Sequence, residues 1–113
     1  MDCQVAVWAP GKIEKLTLKL EDGASPALVT YVKNRTTDAT TVIDLIGDPK
    51  VAESFKGSFP AGNSVSGKEE IVLDFGFLYE KKYDLEAATN IFTITVEDKN
   101  GKVSIQQAQF KKD

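Results

Sequence analysis

Residues 91–105 read IFTITVEDKNGKVSI, and their alternation is the strongest structural signal in the sequence. Over residues 91–97 polar and apolar side chains alternate, which is typical of a strand that buries one face. The alternation resumes at residues 103–105. The DKNG sequence at 98–101 supplies a tight hairpin turn, because Asn and Gly tolerate positive φ angles. We therefore predict two antiparallel strands joined by a hairpin. The side chains expected to face the core in the first strand are Phe92, Ile94 and Val96.

The end of this hairpin changes phase. Val103 and Ile105 share one side of an extended chain. Ala108 and Phe110 share the other side. A β-bulge at residues 106–107 would bring both pairs onto the core face, because one extra residue reverses the alternation. We therefore expect an irregular last strand.

The N-terminal stretch also predicts a strand. Residues 4–9 read QVAVWA, in which Val5 and Val7 share one side. Ala6 and Trp8 share the other side, and Pro-Gly follows as a strand-ending turn.

Two further segments alternate, and a third is ambiguous. Residues 12–23 (KIEKLTLKLEDG) and 69–75 (EEIVLDF) have one apolar and one polar face. Residues 27–32 (ALVTYV) form either a third, shorter strand or an irregular apolar crossover after Pro26. The core-facing residues expected from the two clear strands are Leu16, Leu18, Leu20, Ile71, Leu73 and Phe75.

One segment carries a helical signal. Asp48 stands at the N-cap position and Pro49 at the first helical position, where its missing N–H leaves no bond unmade. Gly57 is a C-terminal stop. We predict a helix of about two turns. The apolar residues that share its face are Val51, Ala52 and Phe55.

The remaining segments connect these elements. Residues 34–40 (NRTTDAT) are typical of a polar loop, and residues 42–45 form a brief apolar segment. Residues 59–67, with two glycines and a proline, are expected to cross the surface. Residues 76–84 (GFLYEKKYD) form either a turn of helix or an extended edge.

Together these elements predict an all-β antiparallel β-sandwich with one short helix in a crossover. A small barrel is the main alternative. The chain has 113 residues, so residues 1–113 are expected to form a single domain that holds a core without disulfides. No internal repeat or long linker divides it.

The composition argues against several functions. The chain has no His, which removes the usual general base and the commonest metal ligand. Its one cysteine, Cys3, cannot complete a zinc site of the usual kind. A net charge of −3 gives no electrostatic footprint for nucleic acid, and no apolar stretch is long enough to span a membrane. We expect a monomer that is not an enzyme and carries no cofactor.

Several pieces occur in a familiar order: residues 9–16 (APGKIEKL), 43–45 (IDL), 65–67 (VSG) and 92–102 (FTITVEDKNGK). Together they resemble an immunoglobulin-like domain of uncharacterised function found in surface lipoproteins of Bacteroides-type gut bacteria. The resemblance implies an immunoglobulin-like fold and an extracellular or cell-surface location. It also implies a spacer or partner-binding role, with adhesive or glycan-related functions in the parent proteins. No functional residue is assigned in that family, so none is transferred.

Cys3 could be the acylated residue of such a lipoprotein. Acylation needs an apolar region upstream, and only Met1 and Asp2 precede Cys3 here. We therefore expect an incidental thiol.

Surface aromatics are the candidate binding residues. Tyr79 and Tyr83 are spaced for one helical face and could stack on sugar rings, with Glu80, Asp84 or Asn90 bonding to hydroxyls. The competing interpretation is that aromatic residues in a small sandwich fill the core or its rim. A partner, protein or polysaccharide, would meet an exposed edge strand or the connections 59–67 and 79–90. The other aromatics without a clear core parity are Trp8, Tyr31 and Phe77.

Several aspartates suggest two hypotheses, a calcium-binding site and a glycosidase active site. Calcium needs six or more converging oxygens, and the DKNG turn lacks the acidic pattern of the standard calcium loop. A glycosidase needs two carboxylates across a cleft, which a sandwich this small rarely contains. We expect no metal site and no catalytic residue. The carboxylates considered are Asp44, Asp48, Asp74, Asp84 and Asp98.

Overall fold

The computed structural model describes residues 4–55, 57–80 and 90–110. In this part of the chain the strands are β1 (Gln4–Trp8), β2 (Ile13–Leu20), β3 (Val42–Asp44), β4 (Glu70–Asp74), β5 (Asn90–Asp98) and β6 (Val103–Phe110). The helices are α1 (Pro26–Lys33), α2 (Pro49–Glu53) and α3 (Phe77–Glu80), with one turn of 3₁₀ helix at Gly62–Ser64.

The strands form two antiparallel sheets. One has four strands in the order β3-β2-β5-β6, and the other pairs β1 with β4. The inner faces of both sheets contribute to a single hydrophobic cluster, which includes Val7, Leu18, Leu73 and Ile94. The protein is therefore mostly β with two antiparallel sheets, as the alternation predicted.

The predicted hairpin is present between β5 and β6. The Asp98 N–H donates to the Lys102 carbonyl at 2.9 Å, and the Gly101 N–H donates to the Asp98 carbonyl at 3.0 Å. Gly101 has φ 84°, whereas Asn100 is not among the positive-φ residues. The turn is thus a three-residue loop closed by a left-handed glycine, rather than the tighter turn in which Asn and Gly both have positive φ.

The Asp98 side chain holds this turn together. It is 8% exposed, and its Oδ1 accepts the backbone N–H groups of Asn100 and Lys102, both at 2.9 Å. Asp98→Ala leaves both donors without this acceptor, so we expect the free energy of unfolding to fall by about 1–3 kcal/mol in urea denaturation. Asp98→Asn keeps an oxygen acceptor and should lose clearly less. Equal losses in the two variants would contradict this role for Oδ1.

The expected bulge in β6 is wrong. The β5–β6 register runs without a shift from Asn90↔Phe110 to Glu97↔Val103. Val103 and Ile105 therefore lie on the outer face, and they are 52% and 67% exposed. No described layer covers that face, so nothing compensates for bending the strand. The irregularity recorded in this sheet lies instead in β2, between Ile13 and Lys15, and it brings Ile13 into the core with the three leucines.

Residues 27–32 are neither a strand nor an irregular crossover; they form most of α1. Pro26 occupies the start of the helix, where its fixed φ suits the first turn. Leu28 and Val32, four residues apart, are fully buried on one face of the helix. Burial of this pair outweighs the strand preference of the β-branched residues in the segment.

The helix predicted after residue 48 is present as α2, with Asp48 at the N-cap position and Pro49 at its start as predicted, but it is shorter than expected. The Asp48 side chain makes no capping bond to the helix, and its Oδ2 instead accepts the Thr37 hydroxyl at 3.0 Å. The helix ends at Glu53, ahead of Gly57. The expectation of one short helix is also wrong, because α1 and α3 accompany α2.

The connections lie closer to the core than expected. Phe59 and Val65 are buried, so residues 59–67 pack into the interior as well as crossing the surface. The Ser58 carbonyl accepts the Asp74 N–H at 2.8 Å, which ties this connection to the end of β4. Residues 77–80 of the second ambiguous segment form α3, and its residues 81–84 lie outside the described residues.

Candidate functional site

Two of the aromatic candidates pack together at the edge of the core. The Tyr31 ring stacks on Phe77, with ring centroids 5.7 Å apart, and meets the Phe55 ring edge-on at 5.9 Å. The Arg35 guanidinium lies over the Tyr31 ring, 3.6 Å from its centroid, in cation–π geometry. Tyr31 and Phe77 are therefore engaged in packing, as the competing interpretation held.

The sugar-stacking pair Tyr79 and Tyr83 stays a prediction. The backbone of Tyr79 lies in α3, but the described part of the structure does not include its side chain. Tyr83 lies outside the described residues.

Trp8 lies in a different place. It is 71% exposed at the end of β1, although it is among the largest apolar side chains in the chain. Strand alternation turns Val7 into the core and Trp8 outward. On β4, Val72 also faces outward and is 46% exposed.

The β1–β4 register places these side chains on one solvent-facing surface. Trp8 stands opposite Glu70, and Ala6 stands opposite Val72. Trp8 and Val72 are thus diagonal neighbours across the ladder, within roughly 7–8 Å and within reach of an indole ring. We call this surface the tryptophan face. Its residues are Gln4, Ala6, Trp8, Glu70, Val72 and Asp74.

The chemistry of the tryptophan face is that of recognition. Trp8 and Val72 offer apolar area, and the indole N–H is a hydrogen-bond donor. Glu70 contributes a carboxylate at the rim. The Asp74 Oδ1 is already engaged by the Gly76 N–H at 2.8 Å. All six residues of this face are exposed.

A second exposed feature is the free edge of β6, which ends the strand order of the larger sheet. Val103 and Ile105 are exposed there. From Val103 to Phe110 the sequence has no charged residue and no proline. The opposite edge, β3, has only three residues and packs against α2. The β6 edge therefore lacks the features by which sheet edges are usually blocked.

Three of the candidate aspartates, Asp44, Asp74 and Asp98, hold local turns, and Asp48 accepts a threonine hydroxyl. The Asp44 Oδ1 accepts the N–H groups of Ile46 and Gly47 at 3.2 and 2.8 Å. Asp48, Asp74 and Asp98 are engaged as described above, and Asp84 lies outside the described residues. Within the described ranges, no three residues among His, Cys, Asp and Glu lie together in a way that could hold a metal ion.

The connections expected to meet a partner contribute less than the strands do. Phe59 and Val65, the large apolar residues of the 59–67 connection, point into the core. Most of the 79–90 connection lies outside the described residues. Two surfaces of the described chain thus remain as candidates, the tryptophan face and the β6 edge.

Over residues 4–55, 57–80 and 90–110, no helix is long and apolar enough to cross a membrane. Comparison of the chain with models of protein families, with curated proteins and with solved structures finds no match.

Proposed function

We propose that this chain is a non-catalytic, immunoglobulin-like binding module of a bacterial surface or secreted protein, and that it holds a protein partner on its tryptophan face. Support for the fold is the pairing of two antiparallel sheets over one core. Support for the location is the resemblance of residues 92–102 and the shorter pieces to domains of surface lipoproteins.

The observation that carries the binding role is the exposure of Trp8 beside Val72. A spacer needs only a folded core, and an indole left 71% exposed adds nothing to that core. Tryptophan is among the residues that contribute most to binding in protein interfaces, where an apolar centre is surrounded by a polar rim. The tryptophan face has this arrangement, with Glu70 and Gln4 at its margin.

The non-catalytic part of the proposal has its own support. The side chains of Asp44, Asp48, Asp74 and Asp98 all accept hydrogen bonds from backbone or hydroxyl groups. A general acid and base pair for hydrolysis would instead face each other across a cleft.

Carbohydrate binding is the second candidate, and the same indole favours it. A flat exposed ring can stack on the apolar face of a sugar, and the carboxylate of Glu70 opposite Trp8 can accept hydrogen bonds from hydroxyls. Tyr79 and Tyr83 would extend this platform if they lay beside it.

Trp8 is the only tryptophan in the chain, so its fluorescence reports on this face alone. In the free protein we expect emission close to that of N-acetyltryptophanamide in the same buffer, with ready quenching by iodide. Titration with a panel of soluble polysaccharides should then leave the emission unchanged. A saturable blue shift with any of them would support the carbohydrate candidate and contradict a protein partner.

The protein partner is tested by placing a photoreactive benzophenone amino acid at position 70, opposite Trp8 on the tryptophan face, in cells that produce the protein. We expect one discrete cross-linked protein that is absent when the probe replaces Lys50, an exposed residue of α2. Trp8→Ala should weaken binding to that protein by roughly 30-fold or more, the range of a hot-spot residue. Its effect on the free energy of unfolding should stay within about 0.5 kcal/mol. Identical cross-linking from positions 70 and 50 would contradict the proposal.

A further inference from the structure

Among the described residues, no strand pairs with the outer edge of β6, which carries a row of backbone N–H and C=O groups. The Asp98–Lys102 pair is joined by a backbone hydrogen bond from the Asp98 N–H. Hydrogen-bonded and non-hydrogen-bonded pairs alternate along an antiparallel ladder. The even-numbered residues of β6 therefore point their backbone N–H and C=O groups toward β5. The residues that turn their N–H and C=O groups to the free edge are Val103, Ile105, Gln107 and Gln109.

Such an edge is a template for another strand. Natural sheets block their edges with Lys, Pro, bulges or very short strands. β6 has eight residues, a regular register and neither charge nor proline. Its side chains are also exposed on both faces over most of its length.

We propose that two copies of this chain pair antiparallel through β6, about a two-fold axis at Gln106. Gln106 of one copy then lies opposite Gln106 of the other. The residues on either side of it, from 103 to 109, pair with the same segment of the second copy running in the opposite direction. Val103 stands opposite Gln109, and Ile105 stands opposite Gln107. These four residues are the ones with free backbone groups, so four pairs exchanging two bonds each give about eight backbone hydrogen bonds.

A second copy fits this edge better than a charged strand does. β6 has no charge between Val103 and Phe110, so it offers nothing that would select an acidic or basic peptide. The same neutrality means that self-pairing places no like charges opposite each other along these residues. Both copies contribute the same strand in a two-fold dimer, so the two strands have the same length and the same alternation of side chains.

The pairing also covers apolar surface. In this register the two Ile105 side chains are diagonal neighbours on the outer face of the joined sheet, roughly 7–8 Å apart. Ile105 is 67% exposed in the single chain. An interface made by one strand from each copy is small, so we expect a weak dimer whose population rises with concentration. It leaves the tryptophan face free, because that face belongs to the other sheet.

Disulfide trapping tests the register. Replacing Cys3 with Ser removes the only thiol, and Gln106→Cys then introduces one at the proposed axis. Non-hydrogen-bonded antiparallel pairs have Cα atoms about 4.5 Å apart, within the range that a disulfide spans. Under mild oxidation we expect a disulfide-linked dimer. The matched control is Gln109→Cys, whose two thiols would lie roughly 20 Å apart along the strands and should not link.

Sedimentation measures the association itself. Ile105→Lys, at an exposed position, places charges beside each other in the dimer and should weaken dimerisation by about tenfold or more. Val42→Lys is the control, because Val42 is an exposed apolar residue of the same sheet at the opposite edge. It should change the dimerisation constant by less than about twofold.

Three different results would contradict the proposed dimer. A protein that stays monomeric at millimolar concentration, as first expected from its sequence, would overturn the proposal. So would open-ended polymers, which indicate pairing of β6 with some other surface. Equal disulfide linkage at positions 106 and 109 would overturn the register and the two-fold axis with it.

Discussion

Replacing Phe75 with alanine is expected to lower the free energy of unfolding by about 3–5 kcal/mol, the largest effect of any single truncation considered for this chain. Phe75 is fully buried directly after β4. Its ring centroid lies 5.3 Å from that of Phe59, 5.0 Å from Phe92 and 4.8 Å from Phe110.

The reason for the size of the effect is the position of the ring between elements. Phe92 belongs to β5 and Phe110 to the end of β6, whereas Phe59 comes from the connection that precedes β4. Truncation therefore leaves a cavity where both sheets and a connection meet, and side chains from three directions cannot all move in to fill it.

Urea denaturation of the two proteins measures the difference. Domains of this size have a total stability of about 5–15 kcal/mol, so Phe75→Ala should shift the midpoint strongly. Val72→Ala on the outer face of the same sheet is the control and should cost less than about 0.5 kcal/mol. A loss below about 1 kcal/mol for Phe75→Ala would show that the ring is not at the centre of the core.

The strands were predictable because period-two alternation is a direct consequence of strand geometry. In β2, β4 and β5 the residues expected to face inward are buried, from Leu16 to Val96. Each of these strands has one face on the core and one face toward solvent, so its apolar residues are the buried ones.

The errors arose where alternation was not enough. In β6 the phase change suggested a bulge. The structure instead leaves Val103 and Ile105 exposed on an outer face that no described element covers, and alternation alone does not reveal this. In α1, six residues rich in Val, Leu and Tyr are compatible with strand or helix, and the contacts of Leu28 and Val32 decide between them. The Asp48 side chain at the N-cap position could accept either a backbone N–H of α2 or the Thr37 hydroxyl, and it accepts the hydroxyl.

The candidate site was only partly predictable. The parity of residues 4–9 already placed Trp8 and Ala6 opposite Val7. It did not indicate which of the two sides would face the core, because both carry apolar residues. The exposure of Trp8 follows from the packing of the opposite face of the β1–β4 pair on the core, and these two strands are more than sixty residues apart in the chain. The spacing of Tyr79 and Tyr83 alone suggested that they bind sugars, and this remains a prediction.

Asn90→Leu is expected to lower the free energy of unfolding by roughly 2–4 kcal/mol, because Asn90 is a fully buried polar residue with partners on two elements. Its Oδ1 accepts the Ser25 N–H at 2.9 Å, just before α1. Its Nδ2 donates to the Phe110 carbonyl at 3.1 Å, at the end of β6. Leucine has a similar volume, so a large loss in urea denaturation would report the missing hydrogen bonds rather than a cavity.

Asn90→Asp separates the two bonds by pH. The introduced carboxyl keeps an acceptor for the Ser25 N–H, but once ionised it presents an oxygen where the Phe110 carbonyl needs a donor. Burial and that carbonyl both favour the protonated form, so the pKa of the introduced group should be higher in the folded than in the unfolded protein. The variant should therefore be closest to the unaltered protein in acid and lose stability relative to it as the pH rises through the raised folded-state pKa. A stability difference that is the same at acid and neutral pH would mean that the Nδ2 bond to Phe110 contributes little, and the Ser25 bond would then account for the loss in Asn90→Leu.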